Sequence, residues 1–141
     1  MGSGMKTLTH RNQSLGFTLV ETMLVVALIS MLSAIAVPNF LRARQRAQAT
    51  RILDDLRMID GAIDLYAINN SKSAGDAASW SDLQPYIKQG NVLYNSNGDD
   101  LLGNPFNGGT FSVDGTPRIN SATFAALSDV APAEFWSPYA P

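Results

Sequence analysis

The chain has 141 residues (15.1 kDa), 45% of them hydrophobic and 16% charged, a formal net charge of −2, no cysteine and one histidine, His10. That length allows one domain with one small core, and the inventory excludes disulfides, thiolate nucleophiles and Cys-ligated zinc; a chain trimmed past His10 also lacks the imidazole that Ser-His-Asp, Cys-His and HExxH chemistry need. The charge is asymmetric: Arg42, Arg44, Arg46, Arg51 and Arg57 stand against Asp54 and Asp55, whereas beyond Arg57 only Lys72, Lys88 and Arg118 face nine carboxylates, and with no interleaved aromatics the basic stretch does not read as a nucleic-acid surface.

Met1 to Gly16 is polar, carries Lys6 and Arg11 and has no apolar core; it reads as a leader. Next comes GFTLVETMLVVALISMLSAIAVP, from Gly16 to Pro38. Phe17 to Val37 is twenty-one residues with one charged side chain, Glu21, and at about 1.5 Å per residue it spans roughly 31 Å, the thickness of a bilayer's hydrocarbon core. The segment predicts a membrane-spanning helix. A carboxylate near its start is favoured by the positive pole of the helix but costs desolvation. Counting flanking cations does not orient the span, because Arg42, Arg44 and Arg46 outnumber Lys6 and Arg11. Ala34-Ile35-Ala36 also fits an ordinary secretory signal cut after Ala36, which would release a soluble secreted binding domain. Against that alternative, the apolar run is longer than a usual signal core and begins with an acid.

Gly16 followed by Phe17-Thr18-Leu19-Val20-Glu21, after a basic leader and before an apolar run closed by Pro38, resembles the N-terminal signature of type IV pilins and of the pseudopilins of type II secretion. The resemblance covers residues 6–38, and the remainder is similar to the family only in plan. It implies that a membrane-embedded aspartic peptidase cuts after Gly16, where a Cβ would obstruct its aspartates, and that the new amino group of Phe17 is methylated. It also implies a pilin-like α+β fold: one long helix, apolar in its first half, packed in its second half on a small antiparallel sheet. The implied partners are other copies of the chain in a helical filament, the peptidase and N-methyltransferase, an inner-membrane assembly platform with its separate ATPase, and membrane lipid. The implied location is the bacterial inner membrane, single-pass, with the leader cytoplasmic and the head periplasmic, and later a periplasmic or extracellular filament. In the family the residue matching Glu21 is proposed to pair with the N-terminal amine of an adjacent subunit. Pairing would satisfy two buried charges at once and select one docking position. For a lone subunit in the membrane, the alternative is a carboxylate that snorkels beside its own helix N-terminus.

Pro38 lacks an N–H and is expected to kink the helix without ending it, since helical spacing resumes from Asn39 to Ile68. Ala49, Ile52, Leu53, Leu56, Ile59, Ile63 and Tyr66 recur at intervals of three and four and form one apolar stripe. Arg51 with Asp55, and Arg57 with Asp60, offer weak pairs on the opposite face. The expected helix runs from Phe17 to Asn69, about 80 Å, and Asn69-Asn70-Ser71 ends it. The segments are thus a leader (1–16), a transmembrane and filament-core helix (17–37), an amphipathic half (38–69) and a globular head (70–141). In the head, Ser81-Asp82-Leu83-Gln84 resembles a capping box that opens a short helix through Pro85-Tyr86-Ile87. Strands are expected at Val92–Tyr94, at Thr110–Val113 and onward into Arg118-Ile119, as a small meander. Ser121 is expected to cap a short helix over Thr123 to Leu127. Phe135, Trp136 and Tyr139 then fold back on the sheet or face a neighbour. SWSDLQPYI and Gly103-Asn104-Pro105-Phe106 are similar to segments of pilin and pseudopilin heads.

Chemistry beyond the N-terminus is sparse. Asp54/Asp55, Asp60/Asp64 and Asp99/Asp100 could pair as general acid and base, but adjacent carboxylates are most often solvated surface. The Asn95-x-Asn97-Gly98-Asp99-Asp100 turn offers oxygen ligands for calcium, which some pseudopilins bind near the sheet, yet it lacks the ligand spacing and terminal Glu of an EF-hand. No cofactor is expected otherwise, and Gly103 to Gly109 has no GK[ST] ending for a nucleotide phosphate. The expected role is a non-enzymatic filament subunit, either a pseudopilin of type II secretion or a type IV pilin serving adhesion or motility.

Overall fold

The computed structural model describes residues 1, 2 and 16–141; the leader expected over 1–16 lies largely outside the described residues. Two compact units are present, Met1–Pro38 and Asn39–Pro141, and the helix α1 (Leu19–Asn69, 51 residues) contributes to both, with Pro38 inside it. The architecture is α+β, with a long N-terminal apolar helix and a small two-stranded antiparallel sheet.

In the first unit α1 begins at Leu19 rather than Phe17 because Thr18 takes the N-cap position. Its carbonyl accepts the Thr22 N–H at 3.3 Å, and its hydroxyl accepts the Glu21 N–H at 3.3 Å. The apolar run that follows is long enough to cross a membrane, and none of it is buried within the chain.

In the second unit all seven residues of the expected stripe are buried, joined by Ala62, and Ile52, Leu56 and Ile59 are fully so. Leu83, Leu93, Phe106, Val113, Ile119, Leu127 and Trp136 are among the head residues that share this core. α1 closes with a Schellman motif: Ser71 is left-handed at φ 50°, Ser71 N–H donates to the Ile68 carbonyl and Lys72 N–H to that of Ala67 at 2.9 Å. The sheet pairs β1 (Ala77–Ala78) with β2 (Phe111–Ser112), Ala77 opposite Ser112 and Ala78 opposite Phe111.

Several local expectations are corrected. Val92–Tyr94 is not a strand but belongs to a helix, α3 (Val92–Asn95), because the Asn91 side chain accepts the Leu93 N–H at 3.3 Å and caps it. The strand paired with Phe111–Ser112 is formed by two alanines instead. Arg118-Ile119 does not extend the sheet: the Arg118 carbonyl accepts the Asn107 N–H, and the Ile119 N–H donates to the Tyr139 carbonyl. α2 (Trp80–Leu83) is capped two residues earlier than expected, at Ser79, whose N–H and hydroxyl both donate to Asp82 Oδ2, at 2.9 and 2.6 Å. It continues as a 3₁₀ turn, Gln84–Tyr86, with Pro85 at an early position. α4 (Ser121–Leu127) is capped by Asn120, which accepts the Ala122 N–H, rather than by Ser121.

The aromatic tail folds back. Trp136 is fully buried, its indole N–H donates to the Ala131 carbonyl at 3.0 Å, and the Tyr139 hydroxyl donates to Asp60 Oδ2 on α1 at 3.1 Å. Gly98, at φ 87°, lies against the indole of Trp80, where a Cβ would sit 3.1 Å from the ring; both the backbone angle and the space require glycine.

Candidate functional site

The N-terminal unit concentrates the residues singled out from the sequence. Gly16 is exposed and a Cβ built on it would meet nothing within 4 Å, so the restriction there, if any, comes from a protein that acts on the chain. Phe17 is 81% exposed. Glu21 is exposed at the third helical position, three residues after the capping Thr18. The unsatisfied amides and positive pole of the first turn surround that position, which suits a carboxylate. No cation lies within ion-pair distance of Glu21 among the described residues. Thr18 is a residue that motif reading passed over; the Thr-x-x-Glu spacing of a capping box was the available signal.

The rest of the span presents hydrocarbon. Leu19, Val20, Met23, Leu24, Leu28 and Leu32 are all more than half exposed. Thr22 and Ser30 turn their hydroxyls onto their own helix, donating to the Leu19 and Val26 carbonyls at 2.8 Å each, which removes two donors from the apolar face. Pro38 supplies no N–H for the Ala34 carbonyl one turn back, yet the helix persists through it. Ala36, the alternative cleavage point, lies within α1. A helical segment apolar on all sides, with one carboxylate at its positive end, has no packing partner among the described residues and is chemically suited to lipid or to other such helices.

The remaining candidates lie in the second unit. Asn95 ends α3 and is exposed, Asn97 is exposed in a left-handed conformation at φ 58°, and Asp99 bridges Pro105. Asp100 is buried. Its Oδ1 accepts the N–H groups of Leu102 and Asn104 at 2.8 and 3.0 Å and its Oδ2 accepts the Thr123 hydroxyl, to which Asn104 Nδ2 also donates at 2.8 Å. This carboxylate closes the 100–104 loop onto α4; a cation there would have to displace protein donors. Among the described residues no three His, Cys, Asp or Glu side chains are grouped to hold a metal.

Arg51 and Asp55 pair as expected, but Asp55 is buried rather than on the surface, and Asp60 does not pair with Arg57. Asp55 is 4% exposed and lies 3.5 Å from Arg51 Nε, with its Oδ1 accepting no hydrogen bond. Burial raises its carboxyl above the usual carboxylate value of 3.8, outweighing the opposing pull of Arg51. Arg57 pairs with Asp54 at 3.0 Å rather than with Asp60, which the Tyr139 hydroxyl occupies.

One comparison with known proteins bears on the N-terminal part. Residues 11–37 match the prokaryotic N-terminal methylation motif. The chain is similar to the type II secretion system core protein G of Klebsiella pneumoniae, 35% identical over 57 residues, which are 40% of this chain and 41% of the relative. It is also similar to the proteins of that name from Pseudomonas aeruginosa (37% over 61 residues, 43% of each chain) and Vibrio cholerae (36% over 56 residues, 40% of this chain and 38% of the relative). The matched stretch thus spans about two fifths of these relatives' length. No solved structure matches the chain at a significant level. The chain thus carries the prokaryotic N-terminal methylation motif, with residues 19–37 of it in an apolar helix, and is similar over part of its length to type II secretion system core proteins G.

Proposed function

We propose that the chain is a structural, non-enzymatic subunit of a pilus-like filament. In this reading it is inserted in the bacterial inner membrane through residues 17–37, trimmed after Gly16, methylated at Phe17, and polymerised with copies of itself, with the head on the filament surface. The single observation that carries it is the methylation motif over residues 11–37, whose residues 19–37 form an apolar helix that no other described residues bury. Between lipid-solvated helices burial of apolar area gives no net drive, so packing and polar contacts decide association. Glu21 is the one charged group in the span, and pairing with the Phe17 amine of an adjacent subunit would fix axial register.

Of the two filament types, a pseudopilin is favoured, because the similar proteins named above are type II secretion components. The head lacks cysteine and so lacks the disulfide-closed loop of many pilins. The peptidase, an assembly platform and a separate ATPase are the partners this reading requires.

Expression of the full chain in a bacterial host with and without the prepilin peptidase, followed by electron microscopy of sheared filaments, tests the proposal. Filaments that require the peptidase are expected. A chain recovered as soluble periplasmic protein, with no filaments in either strain, would refute it.

A further inference from the structure

We propose that a cleft in the second unit binds a phosphoethanolamine headgroup of a bilayer lipid, its phosphate held between Arg42 and Arg46 and its ammonium at Asp129. The cleft measures about 520 Å³ and is lined by Asn39, Arg42, Ala43, Arg46, Asp129 and Val130. Four of these come from one stripe of α1. Asn39, Arg42, Ala43 and Arg46 stand at i, i+3, i+4 and i+7, so the two guanidinium groups lie one turn apart on a single face, with the small Ala43 leaving room between them. The wall opposite is the turn after α4. Hydrogen bonds from Val130 N and Ala131 N to the Leu127 carbonyl, at 3.0 and 2.9 Å, fix that turn. It buries Val130 and leaves Asp129 exposed at the cleft.

The charge pattern selects the ligand. The ion pairs among the described residues are Arg51–Asp55 and Arg57–Asp54; Arg42, Arg46 and Asp129 share one cleft, and among the described residues none of the three has an opposite charge within 4.0 Å. Two unpaired cations and one unpaired anion fit a ligand that carries a phosphate and, two carbons away, an ammonium. Guanidinium groups suit phosphate oxygens through paired N–H donors. A purely anionic headgroup, or an acidic segment of a second copy, would place like charge against Asp129.

Location along the helix agrees. Arg42 and Arg46 follow Val37 by five and nine residues, about 7 and 13 Å of helical rise, against a headgroup layer about 5 to 8 Å thick beyond the hydrocarbon; long arginine side chains, tilted as helical side chains are toward the N-terminus of their helix, cover the difference. Arg44 is two residues from each, on the other side of α1, and provides a control of equal charge.

This inference rests on the reading of residues 17–37 as membrane-embedded. The test is native mass spectrometry of the full-length chain extracted from membranes in mild detergent and offered equal amounts of phosphatidylethanolamine and phosphatidylglycerol. The unaltered chain is expected to retain phosphatidylethanolamine in preference, by about threefold, the size of one exposed ion pair. Retention should be lost in the Arg42→Gln/Arg46→Gln variant and kept in Arg44→Gln, and in Asp129→Asn lipid should still bind but without the preference. All four positions are exposed, so the fold is not at stake. Equal retention of the two lipids by the unaltered chain, an Arg42→Gln/Arg46→Gln variant that holds lipid normally, or an Asp129→Asn variant that keeps the preference would each overturn the proposal. A chain found in the soluble fraction before any lipid is added would instead refute the membrane reading beneath it.

Discussion

Replacing Glu21 with alanine separates what the residue does in a lone subunit from what it does in a filament. In the structure Glu21 is exposed, has no cation partner among the described residues, and sits in the first turn of α1. Removing it there forfeits its interaction with the helix pole, about 0.3–1 kcal/mol, less than about sixfold in any equilibrium. In a filament where the carboxylate faces a neighbour's N-terminal amine in an apolar core, removal strands a buried ammonium at a cost of about 3–5 kcal/mol, roughly a hundredfold to several thousandfold. Glu21→Ala is therefore expected to insert normally, as judged by resistance to carbonate extraction, and to lower the yield of sheared filaments at least a hundredfold. Glu21→Gln keeps the shape and loses the charge; if the contact is ionic it fails as badly as alanine. Normal filament yield from either variant, or a loss of insertion as large as the loss of filaments, would refute the reasoning.

Further outcomes follow from other residues. Gly16→Val, which meets no obstruction within the chain, is expected to fold and insert but to remain at full length on immunoblots; efficient trimming would show that no steric restriction operates there. Because burial raises the Asp55 carboxyl above 3.8, the folded chain binds that proton more tightly than the unfolded one. The stability this contributes is full below about pH 4 and is lost as pH rises through the raised value. Urea melts should therefore show Asp55→Asn gaining on the parent chain between about pH 3 and pH 7, and a gap that does not change with pH would contradict this. Asp100→Ala leaves two backbone N–H groups and the Thr123 hydroxyl without their shared acceptor, at a cost of about 2–4 kcal/mol in urea unfolding; a loss below about 1 kcal/mol would mean that water replaces the carboxylate. Leu56→Ala, at a fully buried position of α1, should cost about 2–5 kcal/mol in the same assay, and an unchanged midpoint would show that α1 does not carry the core.

The parts of the fold that could be read in advance are those set by long periodic patterns. The stripe from Ala49 to Tyr66 is buried in full, because residues three and four apart on a helix face one way whatever they pack against. The end of α1 was also readable, since Asn69-Asn70-Ser71 carries the turn chemistry that the Schellman closure uses. Short elements were not, because one side chain decides each of them. Asn91 converts the strand-like Val92-Leu93-Tyr94 into a helical turn by accepting the Leu93 N–H, and Ala77-Ala78, of weak strand propensity, forms β1 because Phe111–Ser112 lies beside it. The burial of Asp55 was hidden because helical spacing offers Arg51 as a surface partner one turn away. At the N-terminus Gly16, Phe17 and Glu21 stood out through a motif, whereas the Thr18 cap became visible only from the hydrogen bonds around the first turn. The cleft at Arg42 and Arg46 depends on the return of residues 129–130 to the start of the second unit, a long-range proximity that no local pattern encodes.

The most direct test of membership in a processed filament is the mass of the N-terminal peptide from protein isolated from native membranes. A chain that begins at Phe17 and carries one added methyl group is the predicted result. A chain that begins at Val37 would contradict it, because Glu21 and the apolar span would then be absent from the mature protein.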